Sequence, residues 1–283
     1  MAFIEITGVS KSFGARHVLH DVSLSVEHGE FVSIVGSMGC GKSTFLNIAS
    51  GLAAPDTGSV TIDGAPLRGI RKDAAIVFQN YSLLPWFSAI ENVRLAVDAA
   101  FPEWPKTQQK AQSARYLEMV GLGNALHRRP GQLSGGMRQR VAIARAFAIE
   151  PEILFLDEPF GALDALTRAS LQQELLRMCS AREKPVTAVM ISNNIDEAIL
   201  LSDRIVPMTR APRATLGPAV EVALPRPRTL AQLLHDEEAE RVRAHVIESL
   251  TDAVARVRAH GRWPATQPEV ATPAVELVSA ETK

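Results

Sequence analysis

The residues with the clearest chemical potential form a glycine-rich loop, Gly36-Ser37-Met38-Gly39-Cys40-Gly41-Lys42-Ser43-Thr44. Its spacing matches the phosphate-binding loop G-x-x-x-x-G-K-[S/T]. Glycines let the backbone turn tightly enough for successive N–H groups to point at phosphate oxygens, and a helix that starts there adds its positive end. In such a loop Lys42 reaches the β- and γ-phosphates and Ser43 holds Mg²⁺. The sequence therefore predicts that residues 36–44 bind a nucleotide.

The segments on either side of this loop have the character that the motif requires. Residues 31–35 are apolar and predict a short buried strand, and residues 44–49 predict a helix. A glycine-rich turn that matches the motif by accident would not be expected to have this strand–loop–helix context, so the context favours nucleotide binding.

A second apolar strand, residues 153–156, runs directly into Asp157 and Glu158. It is typical of a fully buried parallel strand, and ligands bind at the carboxyl ends of such strands. Asp157 suits the coordination sphere of Mg²⁺ through water, and Glu158 suits polarising an attacking water. The alternative is a strand that merely ends in solvated acids, but a phosphate-binding loop needs a strand of this kind beside it.

Three further sites are weaker when each is taken alone. Leu133-Ser134-Gly135-Gly136 precedes a strong helix former, and the uncovered N–H groups of a helix start attract anions. For this segment alone, a capped helix with a flexible entry is the better explanation. Gln79 follows an apolar strand at residues 74–78. Phe13 could stack on an adenine ring or belong to the core, with nothing in its position to decide.

The bulk properties exclude several function classes. The chain has 283 residues, a net charge of −1 and scattered basic residues, which do not favour nucleic-acid binding. Two cysteines are too few for a disulfide framework, so we expect a reducing, cytosolic compartment. We find neither a signal-peptide pattern nor an apolar run long enough to cross a bilayer. Any work at a membrane must then be done through a partner.

The order of these segments predicts a domain organisation. We expect a nucleotide-binding domain over residues 1–228, with a small antiparallel layer near its amino terminus. Within it, Ser88 and Glu91 form a capping box that opens a helical subdomain. The predicted parts after residue 87 are a helical subdomain at about 88–150, a connector at 210–228, a helical extension at 229–261 and a disordered tail at 262–283.

Taken together and in this order, the motifs resemble the ATP-binding subunits of ABC transporters over about residues 3–228, with Gly161-Ala162-Leu163-Asp164 as a further match. The resemblance implies an α/β fold: a RecA-like P-loop NTPase core with an antiparallel β layer and a helical subdomain. It also implies a head-to-tail dimer in which each ATP lies between the Lys42 loop of one chain and the Ser134-Gly135-Gly136 segment of the other. The residues implied to contact ATP across the dimer are Ser134, Gly135, Gly136, Gln139 and Asp164.

The resemblance also assigns roles that the residues alone leave open. Phe13 would stack on adenine, and Gln79 would contact Mg²⁺ and the attacking water. Finer similarity over residues 77–86, 160–168 and 224–228 is to importers of nitrate, nitrite, cyanate and bicarbonate, with taurine and sulfonate importers close behind. That branch implies two membrane-spanning permease subunits, a substrate-binding protein contacted only indirectly, and a peripheral location on the cytoplasmic face of the cell membrane.

One position departs from the family pattern. The strand before residue 193 usually ends in a histidine that donates a hydrogen bond to the γ-phosphate, and here Asn193 stands there. Asparagine can donate through its amide, but it is shorter and cannot become an imidazolium. Glu158 favours an ATPase that powers an importer, whereas Asn193 favours a non-hydrolysing subunit paired with an active sister chain. A soluble P-loop kinase is the weakest alternative, because it leaves residues 133–136 without a purpose.

Overall fold

A computed structural model describes residues 2–180 and 185–260. Within these ranges the chain forms two sheets and a set of helices. The strands are β1 Ile4–Phe13, β2 Arg16–Val26, β3 Phe31–Val35, β4 Thr57–Ile62, β5 Ala65–Pro66, β6 Ala74–Val77, β7 Ile153–Asp157, β8 Thr187–Ser192, β9 Arg204–Pro207 and β10 Val220–Glu221. The α-helices are α1 Lys42–Ala49, α2 Ala89–Ala100, α3 Lys106–Met119, α4 Gly135–Phe147, α5 Ala165–Ser180, α6 Ile195–Leu201, α7 Leu230–Leu233 and α8 Glu237–His260.

The larger sheet has six strands in the order β10-β9-β3-β8-β7-β6. All neighbours from β9 to β6 pair in parallel, and β10 is antiparallel. Every residue of β3 and β8 is buried, as expected for central parallel strands that are covered on both faces. Their carboxyl ends therefore meet at one edge of the sheet, where the predicted loop and acids lie.

Two hydrophobic cores lie on opposite faces of this sheet. Leu154 and Leu156 of β7 belong to the core that includes α2 to α6 and α8. Ile153 and Phe155, with the opposite pleat, belong to the core that includes α1 and the second sheet. Helix α1 is thus packed from several sides directly behind the glycine-rich loop.

The second sheet is antiparallel, in the order β2-β1-β4-β5. Its strands β1 and β2 form a long hairpin in which Phe13 pairs with Arg16 at the tip. Isoleucines and valines of β1, β2 and β4 supply its buried face. This sheet is the antiparallel layer that the sequence predicts.

The segment between β6 and β7 is helical. Helix α2 begins with the predicted capping box, because Ser88 N donates to Glu91 Oε2 at 2.8 Å and Ser88 Oγ accepts from Glu91 N at 3.5 Å. Helices α3 and α4 pack with α2 in the same core. The three helices fall within the predicted range of residues 88–150.

The carboxyl-terminal extension contains two helices, α7 and α8, where the sequence pattern predicts a continuous amphipathic segment. Asp236 separates them, since its Oδ1 accepts from Glu238 N at 2.9 Å and from Ala239 N at 3.0 Å and so caps α8. The predicted tail at 262–283 lies outside the described residues. None of the helices in residues 2–180 and 185–260 combines the length and apolar character needed to span a bilayer.

Candidate active site

The glycine-rich loop connects β3 to α1, as the motif requires. Gly39 and Gly41 have φ angles of +74° and +116°, which side-chain-bearing residues rarely adopt. A Cβ on Gly36 would lie 3.0 Å from the Met208 carbonyl oxygen. Glycine is therefore required by backbone conformation at two positions and by close packing at a third, and the resulting turn leads into the amino terminus of α1.

Lys42 is the first residue of α1, and its side chain is only 4% exposed. Its ammonium donates to the carbonyl oxygens of Gly36 at 3.0 Å and Ser37 at 3.2 Å. Its Nζ also lies 3.4 Å from Glu158 Oε1. These oxygens compensate a buried charge that would otherwise be costly. The ammonium is thus held against the loop, between the carbonyl oxygens of Gly36 and Ser37 and the Glu158 carboxylate.

Ser43 and Asp157 bring a hydroxyl and a carboxylate together. Ser43 Oγ donates to Asp157 Oδ1 at 3.3 Å. Burial raises the pKa of the Asp157 carboxyl, and the Ser43 hydrogen bond opposes this effect. Oxygen ligands of this kind fit Mg²⁺, which keeps several waters and binds through few protein groups. No cluster of three His, Cys, Asp or Glu residues suited to a metal occurs in the described part of the chain.

Glu158 lies at the centre of the residues that the sequence predicts to be catalytic. Its Oε2 accepts from Gln79 Nε2 at 3.5 Å and from Asn193 Nδ2 at 3.4 Å, while Oε1 faces Lys42. Its backbone has a φ of +41°, an unfavourable conformation of the type that concentrates at active sites. The structure therefore brings together the three predicted catalytic residues, Glu158, Gln79 and Asn193, at the mouth of the loop.

The two neighbouring asparagines have different tasks. Asn194 Oδ1 accepts from Glu197 N at 3.2 Å and caps α6, so its side chain is committed to the helix start. Asn193 is exposed and its amide donates to Glu158. Asn193 is therefore the residue that offers a donor to the site.

Glu197 is a buried acid of this region that the sequence motifs do not predict as a site residue. It is 5% exposed and accepts from Ser192 Oγ at 2.6 Å and from Gln172 Nε2 at 3.0 Å. Burial raises the pKa of its carboxyl. It ties the first turn of α6 to the end of β8 and to α5. An acid in the first turn of a helix was the only sequence signal for it.

Phe13 lies at the tip of the β1–β2 hairpin, and its ring is 57% exposed. Within residues 2–180 and 185–260 no aromatic ring pairs with Phe13, but the Lys11 ammonium lies 5.7 Å from its centroid. Phe13 is therefore not part of the hydrophobic core in this structure. An exposed ring of this kind is suited to stacking on a planar ligand.

The residues predicted to contact ATP across a dimer divide into two groups. Ser134 caps α4 through an Oγ that accepts from Met137 N at 3.3 Å, and Asp164 caps α5 by accepting from Thr167 N at 3.0 Å. Both are exposed, and Gly135 and Gly136 are partly exposed beside Ser134. Gln139 does not fit the prediction. It is 1% exposed because this face of α4 packs inward, so it cannot reach a second chain in this conformation.

Comparison with known proteins decides the family. A model of the family described as ABC transporter matches residues 19–161. The chain belongs to the ABC transporter family. The nitrate import ATP-binding protein of Synechococcus elongatus is 47% identical over 252 residues, which are 88% of this chain and 91% of that protein. A bicarbonate transport ATP-binding protein of Synechocystis is 45% identical over 88% of this chain and 89% of its own length.

Solved structures give the same assignment. An ATP-binding cassette solved as a dimer in a post-hydrolysis state, bound to ADP and Pi, has a TM-score of 0.70 and 31% identity, covering 78% of this chain and 99% of that one. The predicted fold, a P-loop NTPase core with mixed sheets and helices, is confirmed, and so is the predicted ABC transporter resemblance. The chain is an ABC ATP-binding cassette.

Proposed function

We propose that this chain hydrolyses ATP to power an importer of small anions, with nitrate the first candidate. The observation that supports ATP hydrolysis is the position of Glu158 beside the phosphate-binding loop. Its carboxylate contacts Lys42, Gln79 and Asn193. The anion is supported by the names of the similar proteins, a nitrate and a bicarbonate import ATP-binding protein. The anion itself would not touch this chain.

Each residue has a role that follows from its place. The loop amides and Lys42 hold the phosphates, and Phe13 stacks on the adenine. Ser43, Asp157 and Gln79 hold Mg²⁺, which when bound supplies positive charge to the phosphate oxygens. Glu158 orients the attacking water.

Catalysis also needs a donor on the developing charge. Asn193 offers its amide to the γ-phosphate in place of a histidine. Since Lys42, Ser43 and the loop amides contribute to binding, whereas Asn193 acts on the transferring group, its effect falls mainly on the chemical step.

The proposed assembly is a dimer of ATP-binding subunits, identical or different, bound to two permease subunits at the cytoplasmic face of the membrane. The exposure of Ser134 and Asp164 and the dimeric solved relative support the contact across the dimer. Residues 81–86 form the proposed permease surface. Trp86 is 62% exposed there, and Arg145 holds the segment by donating to the carbonyl oxygens of Ser82 at 2.6 Å and Tyr81 at 2.8 Å.

Two substitutions test the ATPase assignment. Glu158→Gln keeps the shape of the side chain but removes the carboxylate, so the purified variant should bind ATP and fail to hydrolyse it. Lys42→Ala should lose binding of the phosphates as well. Hydrolysis and equilibrium ATP binding are measured for both, alone and with the permease subunits. Hydrolysis by Glu158→Gln at the wild-type rate would contradict the proposed role of Glu158.

A further inference from the structure

Helix α6 begins at Ile195, two residues after Asn193, so its position is important for the site. It spans only Ile195–Leu201. So short a helix is marginal by itself, and its position must be set by contacts with the rest of the protein. Residues 192–194, called the switch segment below, connect it to β8. Whatever holds α6 therefore also limits where the Asn193 amide can lie.

The carboxyl end of α6 is held by two arginines from the segment 224–228. Arg228 is 4% exposed, and its Nη1 donates to the carbonyl oxygens of Ile199 at 2.7 Å and Ser202 at 2.6 Å. Arg226 Nη2 donates to the Leu201 carbonyl oxygen at 2.7 Å. The last carbonyls of a helix lack partners within the helix and favour a cation. The two guanidinium groups supply both the hydrogen-bond donors and the positive charge.

Arg228 also ties this end of α6 to the surrounding chain. Three more hydrogen bonds from its guanidinium go to carbonyl oxygens of residues 222 and 224. Its own carbonyl accepts from Gln173 Nε2 of α5 at 2.9 Å. Burial lowers the pKa of Arg228 to about 10, so it stays charged at neutral pH.

The amino end of α6 is held by α8. Arg243 Nε donates to Asp196 Oδ1 at 2.8 Å, with the two side chains 28% and 48% exposed. On the buried side of α8, Val242 and Val246 join the same core as the apolar residues of α6. Both ends of α6 are thus contacted from the last part of the described chain, by Arg226 and Arg228 at its carboxyl end and by Arg243 at its amino end.

We propose that residues 224–250 are a positioning element of the catalytic site, in which Arg228 and Arg243 hold α6 and keep Asn193 beside Glu158. The proposal rests on the proposed function, since it needs Asn193 to act in hydrolysis. The Asn193–Glu158 distance of 3.4 Å is already near the outer limit of a hydrogen bond. A shift of the switch segment by about 1 Å would therefore remove the contact. Arg228 and Arg243 are positioning residues, because their side chains contact α6 and the residue that ends it.

The test uses Arg243→Ala in the full chain, with Arg241→Ala as its matched control. Arg241 lies on the same helix, and among the residues that the structure describes its ion pairs are with Glu237 and Glu238 of that helix. Arg243→Ala should lower the single-turnover rate of ATP hydrolysis by about 2- to 30-fold, the range of positional coupling through a packed element. ATP affinity should stay within about twofold, because the loop is unchanged. Arg241→Ala should match the wild type in both.

A double-mutant cycle with Asp196→Ala separates a positioning role from a merely structural one. If the pair acts through its contact, the double variant loses no more rate than either single variant. The proposal would be overturned if the rate loss of the double variant were the product of the two single losses. It would also be overturned if Arg243→Ala had a lower melting temperature but an unchanged hydrolysis rate.

A wild-type chain that does not hydrolyse ATP would refute the proposed function instead. In that case amide hydrogen exchange decides the present proposal. Arg243→Ala should speed exchange at residues 192–198 and leave α2 unchanged. Unchanged exchange at residues 192–198 would overturn it.

Discussion

Replacing Asn193 by histidine tests the chemistry of the site most directly. The Asn193 amide nitrogen lies 3.4 Å from Glu158 Oε2, so it offers a donor, but at the long end of hydrogen-bond distance. The outer nitrogen of a histidine ring is one bond further from Cβ and can carry a positive charge. A single donor aimed at transition-state charge is worth about 2.7–4 kcal/mol, or about 10²–10³ in rate.

Because asparagine supplies part of this donation already, Asn193→His should raise the hydrolysis rate by about 10- to 1000-fold, with little change in ATP affinity. The assay is single-turnover hydrolysis with enzyme in excess, combined with equilibrium ATP binding. Asn194→His is the matched control, since Asn194 caps α6 and its replacement should bring no gain. Asn193→Ala should slow the reaction further. Equal rates for the native chain and Asn193→His would refute the argument that Asn193 weakens the site.

Two other predictions concern the surroundings of the site. Trp86→Ala should uncouple transport from hydrolysis while leaving ATP affinity and melting temperature unchanged, because the side chain is 62% exposed; a large drop in melting temperature would instead mark it as a packing residue. Glu197→Gln should change the pH dependence of stability. Burial raises the pKa of Glu197, so the folded state binds this proton more tightly than the unfolded state does. The contribution of Glu197 to the free energy of unfolding therefore falls as pH rises from the ordinary glutamate range to the raised pKa. The urea unfolding midpoints of the wild type and Glu197→Gln, plotted against pH over that range, should have different slopes. Parallel plots would contradict a raised pKa for Glu197.

The parts of the site that could be predicted from the sequence are those whose cause is local or follows from sheet topology. The loop around Lys42 is such a case, since glycine spacing, strand and helix are adjacent in the chain. The meeting of Gln79 and Glu158 is another, because both follow apolar strands whose carboxyl ends share one edge of a parallel sheet. Neither inference needs knowledge of side-chain packing.

The parts that could not be predicted depend on long-range packing. The family resemblance implies that Gln139 contacts ATP across the dimer, but its burial depends on which face of α4 turns inward. Arg226 and Arg228 lie in a proline-rich stretch that is typical of an exposed connector. Their partners, the last carbonyls of α6, are about 25 residues away in the chain and carry no sequence signal. Strand β9, four residues long, is too short to be recognised from periodicity.

The residues proposed to bind the phosphates and those proposed to act in hydrolysis come from different parts of the larger sheet. Lys42 and Ser43 come from the single β3–α1 connection, whereas Glu158 and Asn193 follow β7 and β8 and Gln79 follows β6. These three strands are neighbours, so the distances around Glu158 depend on their relative register and on the short helix after β8. A small shift of one element would therefore move the proposed catalytic groups apart while leaving the phosphate-binding loop intact. Substitutions away from the loop should accordingly lower kcat before they weaken ATP binding, which is the behaviour that the Arg243 and Asn193 variants are designed to measure.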